Sequence, residues 1–166
     1  MSHSNWSAFT KRIPIKASVN QVYEAWATQE GLEGWFLRSA VFTTGDKSPR
    51  ERTDWIQKGD TFTWHWYGYP DTVFEKREVI AVNGKDEIKF TFSGGCLVTV
   101  KAVPLGDITV CELTQENIPS DDNPKTNLYV GCGEGWTFYL ANLKSYLEGG
   151  IDLRNKDNAI TQVINS

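Results

Sequence analysis

The apolar positions change period several times along the chain, and each change marks an element. From Phe9 to Ala17 they alternate, with Ile13 and Ile15 on one side, which predicts a strand. Ser18 stands three residues before Gln21, the spacing of a capping box, in which each side chain satisfies an orphan backbone N–H at a helix start. Val19, Val22, Tyr23 and Trp26 then form one helical stripe. After Thr28-Gln29-Glu30 a short second helix is expected over about Glu30 to Phe36, burying Leu32, Trp35 and Phe36. Ser39 to Thr44 reads as a short strand. Gly45 to Gly59 is charged and irregular, and segments of that length are often lids or disordered.

Beyond Asp60 the period is two. Over Thr61 to Tyr67, Phe62, Trp64 and Trp66 face one way and Thr63, His65 and Tyr67 the other, unless a bulge inverts them. Gly68 to Asp71 turns the chain into a strand over Thr72 to Val82, and Asn83-Gly84 is a two-residue hairpin signal. Glu87 to Phe92 places Ile88, Phe90 and Phe92 on one face. Ser93-Gly94-Gly95 turns again, and Cys96 to Val103 with Ile108 to Ile118 forms a last hairpin around Leu105-Gly106-Asp107. After a loop over Ser120 to Pro124, residues Leu128, Cys132, Trp136, Tyr139, Leu140, Leu143, Tyr146 and Leu147 fall on one narrow helical stripe, closed by Gly149-Gly150. The polar tail, 154–166, is expected to trail along the surface or fray.

This order predicts an α+β helix-grip fold. A curved antiparallel sheet of about six or seven strands has one apolar face and only one long helix to cover it, with two short helices after the first strand. The expected organisation is one domain over 1–166 with its core at about 9–150.

Composition narrows the partners. The net charge is −4 and the basic residues are scattered, which argues against nucleic acid and against an anionic membrane surface. No apolar run approaches the roughly 20 residues of a spanning helix. The polar stretch from Met1 to Phe9 lacks an apolar signal region, so a cytoplasmic location is expected. Three cysteines, Cys96, Cys111 and Cys132, are an odd set for a disulfide framework. The last hairpin is expected to put the residue opposite Cys96 near Gln115, so that Cys96 and Cys111 are not well placed to bond. His3 and His65 are too far apart for a zinc site, and neither a metal nor a cofactor is expected.

Three stretches carry a resemblance. They are Ala17-Ser18-Val19-Asn20-Gln21-Val22-Tyr23-Glu24-Ala25-Trp26 running on to Glu30-Gly31-Leu32-Glu33-Gly34-Trp35-Phe36; the ladder with Lys89-Phe90-Thr91-Phe92; and Gly135-Trp136 leading into Leu140-Ala141-Asn142-Leu143-Lys144. On these the chain resembles the heat-shock-protein-90 ATPase activator-like family of the START-like (SRPBCC, birch-pollen-allergen-like) superfamily. The resemblance implies the helix-grip fold, a cytoplasmic stress-response setting, and either a hydrophobic small molecule or a chaperone as partner, in a monomer or homodimer. It carries over no catalytic motif. The charged Gly45 to Gly59 segment departs from the family and is placed to cap or reshape a pocket mouth.

The rings are the best functional clue. Trp35, Phe36, Trp64, Trp66, Phe90, Phe92, Trp136 and Tyr139, with Leu140, are the candidate pocket set, against the plainer reading of a solid core. His65 and Tyr67 are the polar pocket candidates if their strand face proves concave. Acidic pairs such as Glu75 with Glu78, or Asp121-Asp122, read as solvated. Cys132 reads as a small apolar residue. Gly131, Gly133 and Gly135 allow two readings: a helix that starts near Glu134, or a helix flank emptied of side chains to leave room. Three functions follow in rank: a module binding a hydrophobic or aromatic small molecule, with a mouth near Trp35 and Gly45 to Gly59; a co-chaperone-like interaction protein; and a pocket cyclase or hydrolase drawing on His65, Tyr67, Tyr139 and Glu112.

Overall fold

Ser18 and Gln21 form the expected reciprocal cap in the computed structural model, which describes residues 5–164. The Gln21 amide N–H donates to Ser18 Oγ at 3.1 Å, and the Ser18 N–H donates to Gln21 Oε1 at 2.9 Å. The cap starts α1 (Val19–Ala27), and Thr28 caps α2 (Gln29–Trp35) by accepting the Gly31 N–H at 2.9 Å. Both helices follow β1 (Phe9–Ile15). They lead to β2 (Ser39–Thr43), β3 (Thr61–His65), β4 (Glu75–Val82), β5 (Glu87–Phe92), β6 (Cys96–Leu105), β7 (Ile108–Glu116) and α3 (Leu128–Leu147).

The strands form one seven-stranded antiparallel sheet in the order β1-β7-β6-β5-β4-β3-β2. The first strand thus pairs with the last, and α1 and α2 carry the chain from one edge to the other. One face of the sheet, with Phe62, Trp64, Val79, Ile88, Phe90, Val98, Val100 and Leu113, buries against the helices. From α3 it meets Trp136, Tyr139, Leu140 and Leu143. This is the helix-grip architecture. Among the described residues, no helix is long and apolar enough to cross a membrane.

Several expectations are corrected. β4 starts at Glu75 rather than Thr72. Its link to β5 is a longer turn in which Asn83 Oδ1 accepts from the amides of Lys85, Asp86 and Glu87, not a two-residue hairpin. The β6–β7 hairpin closes on Gly106-Asp107, with Leu105 paired to Ile108. That sets Gln115 opposite Val98, so Cys96 is not its partner, and the three cysteines are free thiols. α3 begins at Leu128, where Asn127 Oδ1 accepts the Val130 N–H at 3.2 Å, so the glycines lie inside the helix. The one register shift lies in β4, between Val79 and Ala81, and leaves the alternation of β3 intact.

Residues 45–59, expected as a lid or disordered, are fixed, and the tail is anchored at its start while residues 156–164 run exposed along the surface. Residues 45–59 pack on α1 and α2: Ile56 is buried and donates its N–H to Ala27 O at 2.8 Å, Trp55 lies 5.0 Å from the Tyr23 ring, and Arg50 pairs with the buried Asp60 carboxylate. After Gly149 the tail turns back over the molecule. Arg154, its side chain only 1% exposed, donates to Leu37 O at 3.0 Å and Glu33 O at 3.1 Å and pairs with Asp152. A buried guanidinium persists only when its donors are met, and here backbone carbonyls and a carboxylate meet them.

Candidate functional site

The two halves of α3 meet different surroundings. Its C-terminal half packs on α2 and β1, where Asn142 Nδ2 donates to Trp35 O at 2.7 Å inside the core. Its first turn touches β1 through Tyr129 and Phe9, 5.5 Å apart, and the following turns roof a cavity of about 1420 Å³ that is open to solvent along one side. That exceeds the roughly 300–1,000 Å³ of ordinary ligand sites, because the mouth is wide. Its rings are Phe36, Trp66, Tyr69, Phe74, Phe92, Trp136, Phe138 and Tyr139.

Each element places its ring for a local reason. Trp136, at the middle of α3, wedges 5.1 Å from Phe36, 5.3 Å from Phe92 and 5.8 Å from Trp26. Its indole N–H donates to Gln115 Oε1 at 2.8 Å, which locks the ring. Phe36, the C-cap of α2, stacks on Trp35 at 5.2 Å and meets Tyr139 edge-on at 4.9 Å. Beside the cavity the turn after β5 touches the first residue of α3. A Cβ on Gly94 would sit 2.5 Å from Leu128 Cδ1, and Gly94 has φ +68°, so only glycine fits.

The helical glycines behave otherwise. Gly131 and Gly135 line the cavity, and a Cβ on either would meet nothing within 4 Å. Close packing does not demand them, yet each costs about 1 kcal/mol of helix stability relative to alanine. Their effect is space on the cavity side of the helix.

Of the residues singled out in the sequence, Phe36, Trp66, Phe92, Trp136 and Tyr139 lie on this wall. Trp35, Trp64, Phe90 and Leu140 stand behind it, each no more than 3% exposed. Trp35 donates to Ala25 O at 2.9 Å, and Trp64 stacks on Phe62 at 3.9 Å, so this group stiffens the wall rather than forming it. His65 lies 5.9 Å from the Phe74 ring, Tyr67 lies under the Arg154 and Lys156 cations, and neither lines the cavity. Glu112 pairs with Arg12 at 3.1 Å outside it. His3 lies outside the described residues. The fixed 45–59 segment and Trp35 do not line the cavity; Tyr69, Val73, Phe74 and Gln162 to Ile164 of the tail do.

Glu75 and Ser93 were missed. Glu75 is not a solvated acid: its side chain is 19% exposed and lines the cavity, accepting from Ser93 Oγ at 2.5 Å and Arg77 Nε at 2.9 Å. The alternation Glu75, Arg77, Val79 carried the signal, since Val79 is a core residue and shares their face. Cys132 is also on the wall. Burial pushes its thiol up, with the nearby Gln115 side chain opposing, so it stays protonated near neutral pH. Cys96 is pushed up by burial in the same way. The Tyr139 phenol is likewise raised by burial against the opposing charge of Arg154. Among the described residues no cluster of His, Cys, Asp and Glu is arranged to hold a metal ion.

The model of the family described as Activator of Hsp90 ATPase homolog 1-like protein matches residues 16–148. No curated protein matches the chain. Among solved structures, a Staphylococcus saprophyticus protein superposes with TM-score 0.68 at 22% identity, covering 89% of this chain and 96% of that one. The Aha1 dimer from Colwellia psychrerythraea gives TM-score 0.66 at 19% identity, covering 86% and 97%. DynU16, from the dynemicin biosynthetic locus, gives 0.65 at 20% identity over 90% of this chain but 50% of its own. At these identities the likeness is one of fold.

Proposed function

Because the chain belongs to the Activator of Hsp90 ATPase homolog 1-like family, matched over residues 16–148, we propose that it uses the START-like fold as a cytoplasmic binding module. The module holds a hydrophobic or aromatic small molecule between sheet and helix. The observation that carries this reading is the ring-walled cavity under a helix flank emptied by Gly131 and Gly135. Flat rings held from behind by buried rings make a wall that keeps its shape when empty. Covering about 300 Å² of apolar surface is worth on the order of 7 kcal/mol before the cost of association. Shape and apolar area therefore supply the affinity, and polar groups supply selection. We assign no catalytic residue and no cofactor.

Native mass spectrometry of the freshly purified chain, set against its denatured mass, tests the reading. A retained small molecule supports it, and Gly135→Leu then lowers retention by filling the space. A clean apo mass after incubation with fatty acids, sterols and aromatic polyketides counts against it. In that case the apolar mouth, with Val73 and Phe74 43% and 51% exposed, serves a protein partner instead. That second reading accords with the family's description as a chaperone activator. The fold neighbour described as a dimer makes a monomer-or-homodimer measurement part of the same experiment.

A further inference from the structure

One stretch of the cavity wall is ionic. Glu75 opens β4 on the concave face, paired across the ladder with Trp64, and Arg77 is paired with Phe62. A carboxylate among rings is costly unless its oxygens are met. Ser93 meets Oε1 and Arg77 meets Oε2. A carboxylate accepts at about four lone-pair positions. Among the described residues no third donor reaches Glu75, so each oxygen keeps an acceptor position. Ser93 adjoins Gly94, where the missing side chain lets Leu128 of α3 approach closely.

We propose that Glu75 selects the ligand: an aromatic molecule bearing an O–H or N–H donor, such as a phenol or aryl amine, in preference to an aromatic or fatty carboxylic acid. The inference rests on the binding reading above and gives it a ligand chemistry. A phenol lays its ring on Trp136 and Phe92 and donates its proton to a free acceptor position of Glu75. An ionised acid at the same place brings acceptor against acceptor, and Arg77, the cation nearest to Glu75, is engaged with it and does not line the cavity. The cavity's lysines offer the acid little in exchange. Lys125 is exposed, and Lys11 at the rim sits 5.5 Å from the Phe9 ring. Ion pairs in such wet positions contribute weakly. A hydrogen bond to a partly buried carboxylate contributes more, about tenfold in affinity.

The test is a set of matched probes, naphthalene, 2-naphthol and 2-naphthoate, titrated by calorimetry into the full chain and into Glu75→Gln. The wild type is expected to bind 2-naphthol about tenfold more tightly than 2-naphthoate. In Glu75→Gln the ratio falls towards one, because an amide offers donor and acceptor alike. Naphthoate binding as tightly as naphthol in the wild type overturns the proposal, as does a ratio that Glu75→Gln leaves in place. If naphthalene binds but no preference exists, only this inference falls. If none of the three binds, the binding reading falls with it. Should Glu75→Gln fail to fold, the wild-type ratio decides alone.

Discussion

The two halves of α3 show how one helix serves both folding and binding. From Trp136 onward its inward residues are large and closed in: Leu140 and Leu143 are 3% and 0% exposed, and Asn142 is fully buried with its amide bonded to Trp35 O and its oxygen to the Leu153 N–H. Between Leu128 and Trp136 the cavity-lining Gly131, Cys132 and Gly135 are small, and the space they leave is part of the cavity. Buried contact is thus concentrated in the C-terminal half, while the turns between the pinned Leu128–Tyr129 end and Trp136 span open space. A site can be kept empty at little risk to the fold when its roof is anchored elsewhere.

Substitutions in the two halves should therefore differ in size and in sign. The largest effect is expected from Leu143→Ala in the closed half. It removes a fully buried side chain and lowers unfolding free energy by about 2–5 kcal/mol in a denaturant titration. Arg154→Ala, which strips the tail of its anchor, is expected to cost about 2 kcal/mol and to make the peptide bonds after Asn155 quickly cleavable by protease. In the open half the sign reverses. Gly131→Ala and Gly135→Ala each stabilise the chain by about 0.5–1 kcal/mol through helix propensity, raising Tm, because the added methyl meets no atom. The same substitutions lower affinity for an aromatic probe.

The smallest effect is a pH dependence at the tail. Burial pushes the Asp152 carboxyl up, but hydrogen bonds from Arg154 and Lys156 outweigh it and hold the group well below the usual carboxylate range. A depressed carboxyl contributes stability that is present above its unfolded value, near 4, and is lost as pH falls through the lower folded one. Hydrogen exchange of residues 150–156 should stay slow at pH 4 and quicken only in stronger acid. Quickening between pH 6 and 5 would contradict this assignment.

The fold was legible because it is written in periods and caps. Ser18 with Gln21, the alternation of Phe62 with Trp64, and the stripe from Trp136 to Leu147 are local signals with local causes. The cavity was legible only in part. Alternation told which face Trp64 and Phe90 share, but not which rings on that face stand in front and which behind, since depth depends on where α3 crosses the sheet. Glu75 was passed over because a carboxylate in isolation is most cheaply solvated. Its burial follows from Ser93 and Arg77, whose approach no short window contains. The tail read as polar and loose because Arg154 finds its partners at Glu33 and Leu37, far back in the chain.

The sheet order also sets a timetable. β1 has a single neighbour, β7, and Phe9 lies opposite Gln115. On a ribosome adding roughly 5–20 residues per second, the strand made first waits on the order of 5–20 seconds for the strand made last. Its pairing is the longest-range closure in the sheet, and such closures tend to slow folding. Until it forms, the meander from β2 to β7 carries an unpaired β7 edge that another nascent chain can reach.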